Sequence, residues 1–187
     1  MTVLRAFLDY PSEAALIARM VPGYTDLEVD VMNCVKSVRQ DLDVVLKAMY
    51  RVRGESQRLQ IADAFGRLLY RALGLGTEFE MAMGTVRHCL KIRNQYAHSI
   101  MWNDNTGQLA ISNLEELANL NVEVQDLLAL NVHHVDLPLL QAQFSYFEYA
   151  SSSLIWVLQE GNRTAGRPAL PASPRPAAPG AAPNLYL

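Results

Sequence analysis

Within the stretch RNQYAHS, residues 93–99, Arg93, Asn94 and His98 fall inside six positions. Histidine ordinarily titrates near about 6.5, so it can give or take a proton close to neutral pH. An arginine guanidinium holds an anion such as phosphate through two parallel hydrogen bonds. A neighbouring asparagine can orient either group. This set suits proton transfer at a bound anion. It equally suits the end of a helix, where a histidine caps the last carbonyls and an arginine reaches a buried acid such as Asp63. Both readings stay open on the residues alone.

Which elements would position them? The spacing predicts a helix over 78–98, opened by a capping-box pattern in TEFE, residues 77–80. Phe79, Val86, Leu90 and Ala97 share one line on that helix, which is its expected core face. Arg93 falls on the same line, so its charge needs a buried partner, a subunit interface or the mouth of a cleft. Beside it runs a polar stripe of Arg87, Lys91, Asn94 and His98 at i, i+4, i+7 and i+11. Arg87 and Lys91 on this stripe are the candidate nucleic-acid contacts, and an ordinary exposed face is the alternative.

The rest of the chain reads as helices with one break in period. A short helix over PSEAALIARM is expected to stop at Pro22-Gly23. A second capping box, TDLE at 25–28, is expected to open a long helix ended by Gly54. A third helix follows Ser56 and ends at GLG, residues 74–76. After His98, SIMWNDNTGQLAIS reads as two short strands around a turn at Gly107. A helical pattern from SNLE at 112–115 runs through Leu127. A last helix starts at Asp136-Leu137-Pro138 and runs to Gly161. Beyond it lie six of the nine prolines, and a disordered Pro/Ala-rich tail over 161–187 is expected, leaving one domain over 1–160.

Half of the residues are apolar and 19% are charged, enough for a sizeable core. The net charge of −3 gives no general attraction to nucleic acid, so an anionic partner requires a local patch. No signal-peptide layout and no membrane span is read, and a cytoplasmic location is expected. Cys34 and Cys89 read as buried free thiols. His133-His134 lack a third ligand nearby, so neither a metal site nor a cofactor is expected. Glu115-Glu116 read as a solvated helix start, and Trp102 and Trp156 as core or interface residues.

RNQYAH resembles the R-x(4–6)-H motif of the HEPN superfamily (higher eukaryotes and prokaryotes nucleotide-binding). There the residue after the arginine is often polar, as Asn94 is here. Its RN-x-x-AH form resembles the mannitol-operon repressor group. The resemblance implies an all-α, HEPN-like bundle of about five helices, here with a small β-hairpin after the motif helix. It implies a homodimer in which two motifs face one cleft. Many members are metal-independent endoribonucleases of toxin or defence type; others are non-catalytic partners or regulators.

On the enzymatic reading RNA supplies its own nucleophile, the 2′-hydroxyl. His98 would then move protons, Arg93 would stabilise the charged phosphate and Asn94 would orient one of them. Tyr96 and Ser99 would be auxiliaries, and the second His98 of a dimer would supply the second proton-transfer group. The expected partners are RNA, a second copy and an antitoxin or regulatory protein. Two alternatives accompany this: a non-catalytic HEPN-like dimer that binds nucleic acid or protein, and an unrelated helical scaffold.

Overall fold

A computed structural model describes residues 5–119 and 131–187. Their helices are α1 (Ala6–Asp9), α2 (Pro11–Arg39), α3 (Leu42–Tyr50), α4 (Glu55–Ala72), α5 (Gly76–Ala97), α6 (Leu114–Ala118) and α7 (Leu137–Thr164). Their strands are β1 (Ser99–Asn103), β2 (Leu109–Asn113) and β3 (His133–Val135). The chain divides into two compact units. One comprises residues 1–22, 91–145 and 183–187, and the other comprises 23–90 and 146–182.

The expected all-α bundle of about five helices is corrected here. The first unit contains a three-stranded antiparallel sheet in the order β1-β2-β3. It is no surface hairpin. Leu109, Ala110, Ile111 and Val135 are all completely buried, so the sheet is part of a core. The β1–β2 hairpin does follow the pattern read from the sequence. Trp102 pairs with Ala110, and Gly107 takes the left-handed φ of 87° that its turn requires. β3 is a further strand, which the sequence pattern does not announce. Three residues are too few to show alternation, and their pairing with β2 (Leu109 with Val135, Ile111 with His133) makes them a strand.

The long helix expected over 25–54 is also corrected. α2 runs straight through Pro22 and ends at Arg39. Proline in a helix interior costs about 3 kcal/mol through a lost hydrogen bond and a clash. The flanking turns offset this by burying Met20, Tyr24 and Leu27. Thr25 and Glu28 therefore do not cap anything. Glu28 is 3% exposed and takes the Arg58 guanidinium at 3.0 Å. The real break comes at Gln40, whose φ is +64° and whose N–H donates to the Lys36 carbonyl at 2.7 Å. Arg39 then grips Asp41, the residue before α3, through two hydrogen bonds of 3.0 and 2.7 Å.

In the second unit α4 presents Leu59, Ala62 and Tyr70 to a core shared with Phe79, Met83 and Val86 of α5. Phe79 stacks on Tyr70 with centroids 4.6 Å apart. Tyr70 in turn donates to the Cys34 carbonyl at 2.9 Å. Both cysteines are buried and unpaired. α7 opens with Asp136 as a true N-cap, its carboxylate accepting the Leu139 N–H at 2.9 Å. α7 continues past Gly161 to Thr164. The helical pattern expected from SNLE is seen over α6; its continuation from residue 120 lies outside the described residues. No helix among the described residues is long and apolar enough to cross a membrane.

Candidate functional site

α5 carries the motif, and its burial pattern shows how the helix is used. Phe79, Val86 and Leu90 on the expected line are buried. The cover ends in the last turns: Arg93 is half-buried and Ala97 is exposed. Arg93 thus sits where the apolar line meets solvent, the position that its charge demands. Its Nη1 donates to Asn94 Oδ1 at 3.0 Å, so two of the three candidate residues are joined side chain to side chain.

His98 lies just past the last helical residue, with its side chain 40% exposed. Its N–H still closes the helix on the Asn94 carbonyl at 3.1 Å. Its Nδ1 is 3.6 Å from Glu115 Oε1, within ion-pair reach when the ring is protonated. Glu115 comes from α6, which the β1–β2 hairpin brings back alongside: the Leu114 N–H donates to the His98 carbonyl at 3.3 Å. Ala97, His98, Ile100, Leu114 and Glu115 line a shallow open depression.

The other candidates are used differently. Arg87 donates to Asp63 at 2.8 Å, and Arg67 holds both oxygens of the same carboxylate at 3.1 and 2.5 Å. Asp63, weighed above as a partner for Arg93, is therefore the acid that organises Arg67 and Arg87. Lys91 is exposed. Tyr96 is 4% exposed and donates inward to Gln143 Oε1 at 2.6 Å; burial raises its pKa above the ordinary tyrosine range. Ser99 donates to the Gln95 carbonyl. These two auxiliaries are structural in this arrangement. Of the residues in RNQYAHS, Arg93, Asn94 and His98 meet solvent, and Gln95 and Tyr96 face inward.

Sequence reading missed Glu115 as a neighbour of His98, because the hairpin that joins them leaves no spacing signal. It also missed Gln143. That residue lies three positions after Leu140 on the buried face of α7 and is itself completely buried. A polar residue on a core stripe is the signal that could have found it. His133 and His134 have assigned contacts as well. His134 Nε2 is 2.8 Å from Asp104 Oδ2, and the ring of His133 lies 3.8 Å from that of Tyr186. In comparison with known proteins no family model, no curated sequence and no solved structure matches the chain.

Proposed function

We propose that the open end of α5 is a phosphodiester site, and that the chain is a metal-independent endoribonuclease acting as a homodimer. The observation that carries this is the pairing of the half-buried Arg93 guanidinium with Asn94, one helical turn before an exposed His98 that has its own carboxylate, Glu115. Arg93 takes the scissile phosphate and stabilises the charge that builds on it. His98 moves the proton, with Glu115 stabilising the imidazolium and leaving Nε2 for the substrate. The resemblance of RNQYAH to the HEPN motif supports the same chemistry. A two-fold partner would bring the second histidine.

The test is the purified chain incubated with structured and unstructured RNA, with and without EDTA. Product ends would be examined for a 2′,3′-cyclic phosphate. Cleavage is expected to persist in EDTA and to fall by a factor of about 10² to 10⁴ in His98→Ala. The melting temperature should change little, because His98 is off the core. Equal cleavage by wild type and His98→Ala would remove His98 from the mechanism. A monomer by light scattering at micromolar concentration would remove the dimer.

A second reading is a non-catalytic domain that binds a protein partner as a regulator. It is favoured by charge: Arg87 is held by Asp63, while Glu115 adds negative charge next to His98. RNA that is neither bound nor cut would select it.

A further inference from the structure

Gln95 and Gln143 are amides buried to 2% and 0% exposure, a placement that requires hydrogen-bond partners. The Tyr96 hydroxyl occupies Gln143 Oε1, which commits Nε2 to another acceptor. That acceptor is main chain. Gln143 Nε2 donates to the carbonyls of Asn184 and Leu185 at 2.8 and 3.2 Å, and Gln95 Nε2 donates to the Leu185 carbonyl at 2.6 Å. Two residues on, the Leu187 N–H donates to the His134 carbonyl of β3 at 3.2 Å. Between them the Tyr186 ring stacks on His133, 3.8 Å between centroids and 10° between planes. Its hydroxyl donates to Glu116 at 2.9 Å. All of these residues belong to the first unit.

This pattern is more specific than a tail lying on a surface. Four hydrogen bonds hold the backbone of residues 184–187, which bends at Leu185, and one of them is to β3, an outer strand of the sheet. Tyr186 adds two side-chain contacts, to His133 and Glu116. Gln95 Oε1 is buried and has no hydrogen-bond partner among the described residues. Residues 165–182, with five prolines, join the segment to α7. The tether makes binding of the segment intramolecular, so a free peptide must compete with it.

We propose that Gln95, Gln143, His133, His134 and Glu116 form a peptide-recognition groove for an aliphatic–aromatic–aliphatic segment. Residues 184–187 are its tethered occupant, exchangeable for a segment of the same pattern presented by a partner protein. Selection rests on three features: main-chain carbonyls for the two glutamines, an aromatic ring for His133 and a hydroxyl for Glu116.

The test uses full-length protein and a fluorescein-labelled peptide of sequence Ala-Pro-Asn-Leu-Tyr-Leu, followed by anisotropy. In Tyr186→Ala the tethered competitor is weakened, so the added peptide should bind at least about tenfold more tightly than to wild type. Adding His133→Ala to that variant should abolish the gain. Circular dichroism confirms that both variants are folded. NMR of labelled wild type provides a second measurement. The His133 ring protons should be shifted by the Tyr186 ring, and the Leu187 amide should exchange slowly. Excess unlabelled peptide should reduce both effects. Equal affinity in wild type and Tyr186→Ala, or no binding by Tyr186→Ala, overturns the proposal. So does a dimer that forms in wild type and dissociates in Tyr186→Ala, because the segment would then be exchanged between copies.

Discussion

Gly66 lies in the interior of α4, where alanine normally stabilises a helix by about 0.5–1 kcal/mol. Here the sign should reverse. A Cβ at Gly66 would lie 2.6 Å from Phe79 Cζ and 3.1 Å from Cε1. The ring has little room to retreat, because Phe79 is completely buried and stacked on Tyr70. Tyr70 is equally buried, is anchored by its hydroxyl, and has Gly161 behind it, where a Cβ would meet Tyr70 Cε1 at 2.9 Å. Two glycines thus enclose two stacked rings. Overpacking of this kind costs about 1–3 kcal/mol. Set against the helix gain, the net loss for Gly66→Ala is about 1–2 kcal/mol, or roughly 3–6 °C in melting temperature for a chain of this size. Gly84→Ala is the control. It lies in α5, is exposed and has nothing within 4 Å of its Cβ, so it should gain about 0.5–1 kcal/mol. Thermal melts of the two variants give the answer. In a Phe79→Leu background the cost of Gly66→Ala should shrink, since the shorter side chain relieves the clash. If Gly66→Ala is as stable as Gly84→Ala, the packing argument for the anchoring of α5 is wrong.

Three other outcomes follow from the geometry. Arg58→Ala should cost about 2–3 kcal/mol by chemical denaturation, because the buried Glu28 loses its guanidinium; Arg58 is one-fifth exposed, which keeps the cost below that of a fully buried pair. Asp104 is held down to about 2 by hydrogen bonds from Thr106 and then His134. Its contribution should be complete above about pH 4 and lost as pH falls toward 2, and Asp104→Asn should flatten that part of the stability–pH curve. Neither cysteine should react with a thiol reagent in the folded protein. Burial pushes Cys89 up to about 12 and Cys34 well above the ordinary thiol range, so rapid labelling without denaturant would contradict the packing.

Local chemistry made much of this protein legible in its sequence. The period of α5, the Asp136 start of α7 and the Gly107 turn each depend on residues a few positions apart, and the structure has them in place. The exposure of His98 and the tension of an arginine on an apolar line were legible for the same reason. Tertiary contacts decided what local signals could not. TDLE reads as a helix start, yet Glu28 is buried against Arg58, thirty residues away. Pro22 reads as a stop, yet burial on both sides carries the helix through it. HHV is too short to announce a strand and becomes one by pairing with β2. Gln95 resembles any polar helix residue until Leu185 takes its hydrogen bond. Propensity and capping act over one or two turns of chain. Burial and pairing depend on partners far along the sequence, and where the two disagreed the partners won.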